Sequence, residues 1–108
     1  MGVDYAGHYG IGVKLIEEDF EELDMDGIES MEEYIEALPE SDKVKTEWFE
    51  VGNNYTNRGR VYYLCIANAM SDGVEELVRK VGLFEVYLRE NKVRYEGKVD
   101  CVGGLEVY

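Results

Sequence analysis

The single histidine of the chain, His8, is the residue best suited to acid–base chemistry. Asp4 precedes it by four residues and could orient the imidazole ring, as carboxylates do in proton-transfer pairs. Catalysis would also need a nucleophile or a second acid–base group, and no serine or cysteine lies in a recognisable nucleophile motif. We therefore expect no enzymatic activity, and an acid–base role of His8 is the minor alternative.

Residues 22–33 have a spacing similar to that of a calcium-binding loop. Its ligand positions 1, 3, 5 and 12 and its glycine at position 6 would be Glu22, Asp24, Asp26, Glu33 and Gly27. Position 1 is Glu where the pattern has Asp, and Ile28 comes one place before the usual apolar position. Ser30 and Glu33 also form the S-x-x-E pattern of a helix-capping box, which explains Glu33 without a metal. The sequence thus favours no metal and no cofactor, with calcium at 22–33 as an alternative.

The two cysteines are too few for a disulfide-built mini-protein or a zinc site. Cys65 lies in an apolar run, which predicts a buried free thiol. Cys101 lies in the last predicted strand. Spacing alone leaves open whether the two can pair.

Charge is distributed unevenly along the chain, whose formal net charge is −13. Residues 1–50 hold 16 acids and 3 bases, whereas residues 51–108 hold 8 of each. Such a charge argues against direct binding to nucleic acid or to anionic lipid.

The excess is densest over 17–36, which we call the acidic segment. A solvated face would keep a small protein soluble, but a surface of mixed sign does so with less self-repulsion. Segregation therefore favours a binding role for its eleven carboxylates. They are Glu17, Glu18, Asp19, Glu21, Glu22, Asp24, Asp26, Glu29, Glu32, Glu33 and Glu36.

The elements that must position these residues follow from apolar periodicity. Residues 1–10 predict an irregular arm, and the alternation over 11–16 predicts a strand. The capping box and an apolar stripe at helical spacing predict a helix over 30–38, with a turn or two from residue 18 before it. The stripe comprises Met31, Tyr34, Ile35 and Leu38.

The second half predicts two strands, a helix and a final strand region. A strand over 43–51 and a loop over 52–59 precede a strand over 60–67 that is apolar on both faces and should be central. A helix opens at Asp72-Gly73, with its apolar stripe at Val74, Leu77, Val78, Val81, Phe84 and Leu88. Its acid-to-base pairs at i, i+4 should neutralise it. The tail from 92 predicts one or two strands with a turn at Gly103-Gly104.

This order, β-α-β-β-α-β, predicts a ferredoxin-like α+β domain: an antiparallel sheet with two helices on one face. We expect a single domain over 1–108. No window is apolar enough to span a membrane and no secretory signal is evident, so we expect a cytoplasmic protein.

An acidic helix on a small sheet would carry carboxylates at a density of the same order as duplex phosphates. It would compete for a basic cleft with fast, salt-sensitive association. In size and charge the chain resembles phage-encoded inhibitors of host defence nucleases, including anti-CRISPR and DNA-mimic proteins. The resemblance implies an inhibitor or regulator of a basic, nucleic-acid-binding partner such as a nuclease complex.

The alternative is a small ligand-binding or regulatory module that dimerises through the open face of its sheet. Tyr62, Leu64 and Ile66 would then be the dimer or ligand contacts.

Overall fold

The structure, a computed structural model, describes residues 5–16, 30–53 and 60–107, which contain four strands and two α-helices. In chain order they are β1 (Tyr5–Leu15), α1 (Met31–Glu36), β2 (Thr46–Asn53), β3 (Val61–Ile66), a one-turn 3-10 helix (Ala69–Ser71), α2 (Val74–Glu90) and β4 (Tyr95–Val107). The 17 residues of α2 make it the main helix, since α1 has six. The class is α+β in one domain, as the sequence predicts.

The sheet has the strand order β1-β3-β2-β4 and is closed into a barrel. β1 is antiparallel to both β3 and β4, and β3 is antiparallel to β2. The closure comes from a parallel pairing in which Gly52 and Asn53 of β2 meet Glu106 and Val107 of β4. The predicted order of strands and helices along the chain is confirmed. The sheet departs from the ferredoxin-like prediction, because that fold has an open, wholly antiparallel sheet and this one is closed by a parallel pair.

Strand length explains the closure. β4 has 13 residues and spans about 43 Å if fully extended, whereas β3 has six and spans about 20 Å. β1 and β4 thus extend well beyond β3, and their outer halves remain available for other contacts. The register of β1 on β4 shifts between Gly12 and Lys14, opposite Gly97 with a φ of +70°. Such a bulge bends the pair and strengthens its twist.

The irregular arm predicted over 1–10 is wrong from Tyr5 onward, because β1 begins there. Its glycines permit close strand contact. A Cβ on Gly12 would lie 2.1 Å from the carbonyl oxygen of Leu64 and 2.7 Å from Sγ of Cys65. Only a residue without a side chain allows β1 to lie this close to β3.

The turn predicted at Gly103-Gly104 is also wrong, since β4 continues through both residues. A Cβ on Gly103 would lie 2.4 Å from the carbonyl oxygen of His8, and one on Gly104 would contact Val51 at 3.4 Å. These glycines serve close packing rather than a change of direction.

β3 is buried on both faces, which confirms its predicted central position. Leu64 and Ile66 belong to the main core together with Phe84 and Leu88 of α2. Cys65, on the opposite face, is fully buried. It lies beneath β1, where a Cβ on Gly10 would be 3.1 Å from its sulfur.

α1 starts as the capping box predicts, since the Ser30 hydroxyl accepts a 3.2 Å hydrogen bond from the Glu33 N–H. The helix buries Met31, Tyr34 and Ile35 and ends at Glu36, two residues before the predicted end. β2 begins at Thr46 rather than at 43.

α2 starts one residue later than predicted, with Gly73 as a cap that offers no side-chain hydrogen bond. Its buried residues are Phe84, Tyr87 and Leu88. Val74 and Val78, predicted to face the core, are exposed. No helix in the described parts of the chain is long and apolar enough to cross a membrane.

Candidate functional site

The outward face of α1 carries the described part of the acidic segment. Glu32, Glu33 and Glu36 are exposed, while the opposite side of the helix is buried in the core. The structure thus gathers these three predicted residues on one surface. The other eight lie outside the described residues: Glu17, Glu18, Asp19, Glu21, Glu22, Asp24, Asp26 and Glu29.

Five ion pairs join acids outside α1 to basic side chains in the described parts of the chain. The described ion pairs are Lys14–Glu96 at 3.4 Å, Arg60–Glu50 at 4.0 Å, Lys80–Asp72 at 2.8 Å, Arg79–Glu76, and His8–Glu106 at 3.2 Å. Within α2, Arg79 and Lys80 thus bind acids other than their predicted i, i+4 partners. Neither Glu32 nor Glu36 is in any of these five pairs. Glu75, Glu85 and Glu90 of α2 are likewise in none of them, so the predicted contrast between a neutralised α2 and an acidic α1 stays a prediction.

Helix electrostatics separates the three acids of α1. Glu32 and Glu33 lie in the first turn, where the partial positive charge of the helix N-terminus stabilises carboxylates. Glu36 lies in the last turn, which holds no basic residue. There the helix dipole opposes a negative charge, and Glu32 one turn away adds like-charge repulsion. Helix stability therefore does not account for Glu36.

Tyr62 of β3 lies near acidic side chains of β2 and α1. Burial raises the pKa of the Tyr62 phenol, and the neighbouring Glu50 carboxylate raises it further, opposed by Arg60. A hydrogen bond to Glu50 and the charge of Glu32 add to this increase. Tyr62 therefore lies near acidic groups of both β2 and α1, and the contribution of Glu32 is the smallest of these.

A recess whose wall includes three lysines and one acid, Asp42, lies between the start of β2 and the end of β3. It has a volume of about 250 Å³, and Val44, Ile66 and Ala67 form part of its wall. Its basic residues are Lys43, Lys45 and Lys80, and Lys80 is bound to Asp72. Lys43 and Lys45 are exposed to solvent, so water would compete with any anion in the recess for their ammonium groups.

The His8 side chain makes contacts that connect strands of the barrel. Its Nε2 lies 3.2 Å from Oε1 of Glu106, and its ring stacks on Phe49 with 5.5 Å between ring centroids. Asp4, the orienting residue that the sequence suggests, lies outside the described residues. Glu106 of β4 also pairs with Gly52 of β2, where these two strands close the barrel. His8 of β1 thus contacts both strands at that point, through Glu106 and Phe49.

The two thiols are free, with Cys65 buried and Cys101 exposed. β1 lies between their strands, since Gly12 pairs with Cys65 and Ile11 pairs with Cys101. Two strand spacings amount to about 9.5 Å, beyond the Cα separation that a disulfide spans. Cys65 and Cys101 therefore cannot form a disulfide bond in this fold. Burial raises the pKa of the Cys65 thiol to about 12, with smaller contributions from Glu47 and Cys101.

Metal binding finds no support within residues 5–16, 30–53 and 60–107, where no three potential ligands cluster. Of the candidate calcium loop, 22–29 lie outside these ranges. Comparison of the chain with protein-family models, with curated proteins and with solved structures gave no match.

The contacts expected for a sheet-face dimer are wrong. Leu64 and Ile66 are buried in the core, and Tyr62 is half-buried and packs against it. Both helices pack on this face through the main core.

α2 also has exposed apolar residues that the sequence patterns did not predict. Val74 is 79% exposed, Val78 67% and Val86 39%, and Met70 just before the helix is 64% exposed. The signal was present in the sequence, because 74, 78, 82 and 86 follow one another at i, i+4 spacing. A second stripe at 77, 81, 84 and 88 obscured it.

Proposed function

We propose that this protein is a non-enzymatic inhibitor or regulator that binds a basic, nucleic-acid-binding protein through the acidic segment. The observation that carries the proposal is the outward face of α1, where Glu32, Glu33 and Glu36 are exposed. Glu36 supports the proposal, since a carboxylate in the last turn is unfavourable for its own helix and a binding role would compensate for that cost.

Charge density supports a partner that normally binds nucleic acid. The six residues of α1 span about 9 Å and present three carboxylates. That is one charge per about 3 Å, compared with one per about 1.7 Å along duplex DNA. A cleft that binds phosphates would therefore attract this face, in the manner of a DNA mimic. Binding should be fast and should weaken as salt increases.

The partner can be isolated with tagged protein in a pull-down from the native host's lysate at low salt. We expect a nucleic-acid-binding protein that high salt or added duplex DNA releases. Recovery of the chain alone, or of proteins that DNA does not displace, would contradict the proposal.

A charge reversal with a matched control then tests the surface on that partner. Glu36→Lys changes the last turn of α1, and Glu90→Lys makes the same change in the last turn of α2. Both alter net charge equally and both favour the helix dipole. We expect only Glu36→Lys to weaken binding and reduce its salt dependence. Equal effects would show that net charge alone matters.

The fourfold reversal of Glu29, Glu32, Glu33 and Glu36 to Lys is the stronger test. Binding that survives it, with the circular dichroism spectrum intact, would overturn the proposal.

A further inference from the structure

The outward face of α2 carries three exposed valines and a glycine among its charged residues. Val74, Val78, Gly82 and Val86 follow at i, i+4 spacing, and we call them the outward stripe. The three valines are 79%, 67% and 39% exposed. The core side of the helix is separate, formed by Phe84, Tyr87 and Leu88. Burial against the sheet therefore does not explain the stripe.

Gly82 is at the centre of this face and is not required by the chain's own packing. A Cβ built on it would meet no atom within 4 Å, and it lies in the interior of a 17-residue helix. Glycine is among the least favourable residues at such a position. What glycine provides there is close approach of another backbone.

The charged residues beside the outward stripe indicate that a second copy of this chain binds there. Glu75 and Arg89 lie seven residues, about two helical turns, to either side of Gly82, and both are exposed on the same face. In an antiparallel pair centred on Gly82, residues equally far before and after it lie at the same height. Glu75 then meets Arg89 of the second copy, and Val78 lies level with its Val86.

We propose that the outward stripe is a self-association surface through which two copies of this chain pair, with their α2 helices antiparallel and Gly82 at the centre. The arrangement has the self-complementarity that a two-fold interface needs. It also aligns the two helix dipoles favourably. A parallel pair would instead place Glu75 against Glu75 and Arg89 against Arg89.

The contact is small. α2 is about 25 Å long, so one helix pair buries less than the roughly 1,200 Å² of a standard stable interface. The acidic halves of the two copies also repel each other. The dimer is therefore weak and concentration-dependent, and it is best observed at physiological salt, where screening limits that repulsion to about 8 Å. This surface is independent of the proposed binding role of α1.

Complementary charge variants test the proposal on the full chain by sedimentation velocity over a wide concentration range. Glu75→Arg would place the new arginine against Arg89 of the second copy, and Arg89→Glu would place the new glutamate against Glu75. We expect each variant alone to self-associate at least about tenfold more weakly than wild type, because each contact then joins like charges. An equimolar mixture should recover the dimer, because a mixed pair joins the two new side chains to each other and the two native ones to each other, both with opposite sign.

A third variant separates association from folding. Gly82→Gln places a side chain where the helices would touch, while glutamine is a better helix former. We expect its melting temperature to hold or rise while the dimer is lost.

Three results would overturn the proposal. They are a wild-type chain that stays monomeric at the highest concentration, a dimer that all three variants leave unchanged, and charge variants that do not recover when mixed although circular dichroism shows them folded. An α2 face that instead captures a different protein would give the first result.

Discussion

The hydroxyl of Tyr87 donates a 2.7 Å hydrogen bond to the carbonyl oxygen of Pro39, joining the last turn of α2 to the segment that follows α1. The ring of Tyr87 is buried and stacks on Phe84. The Tyr87 side chain thus links α2 to the segment after α1, and so helps to fix the position of the acidic face of α1.

Tyr87→Phe should remove this link without creating a cavity. The phenyl ring keeps the packing, and Pro39 is exposed enough for water to satisfy its carbonyl. We expect a loss of about 0.5–1.5 kcal/mol in the free energy of unfolding, measured by urea titration. Phe84→Leu, which changes the ring contact instead, is the comparison. A loss of several kcal/mol in Tyr87→Phe would show a role beyond the hydrogen bond.

Gly12→Ala should prevent the native pairing of β1 with β3. The added carbon would lie 2.1 Å from a backbone oxygen, which cannot move without breaking the strand pairing. We expect a destabilisation of about 3 kcal/mol or more. Gly82→Ala is the matched control, with open space around its new carbon, and should stabilise the protein by up to about 1 kcal/mol. Thermal denaturation of both distinguishes close packing from a general cost of losing glycine.

The two thiols should react very differently. Cys101 is exposed, whereas Cys65 is buried with a pKa raised to about 12. A colorimetric thiol assay near pH 8 should therefore count one thiol in the native protein and two in guanidinium. Cys101→Ser should leave none in the native state. Rapid reaction of both thiols in the folded protein would contradict the burial of Cys65.

Alkaline pH should destabilise the fold. Burial raises the pKa of Cys65, Tyr62 and Tyr87 above their values in the unfolded chain. Each group keeps its proton longer when folded, so its contribution is complete below the unfolded pKa of about 8.5 to 10 and is lost as pH rises. Unfolding free energy should fall from about pH 9 upward, and less steeply in Cys65→Val. A flat profile to pH 11 would contradict these shifts.

Glu36→Lys should increase stability while it weakens partner binding. The new cation favours the C-terminal dipole of α1, and removing Glu36 relieves repulsion from Glu32. We expect a gain of about 0.3–1 kcal/mol. A loss of stability would show that Glu36 has a structural role, which would weaken the case for the acidic face.

Local patterns predicted local structure well. The capping box at Ser30 and the two-sided burial of β3 both follow from spacing over a few residues, and the structure confirms both. The closure could not be predicted in this way. The barrel closes where β2 pairs with β4, at Gly52 and Glu106. Alternation of apolar residues within a strand does not specify which distant strand will pair with it.

Glycine was the least informative residue type in the sequence. Gly103-Gly104 indicated a turn because glycine pairs are common in turns. In the structure both residues belong to β4 and allow His8 and Val51 to approach it closely. On α2, apolar residues occupy both the core face and the outward stripe, so helical spacing did not determine which valines are buried.

The pairing of Tyr5 with Val107 determines when the protein can fold during synthesis. β1 leaves the ribosome first, but its longest partner is β4, about 90 residues later in the chain. At translation rates of about 5–20 residues per second, β1 waits on the order of 5–20 seconds for that partner. Its glycine-rich edge is exposed for that time, and we expect the barrel to close only after β4 has left the ribosome.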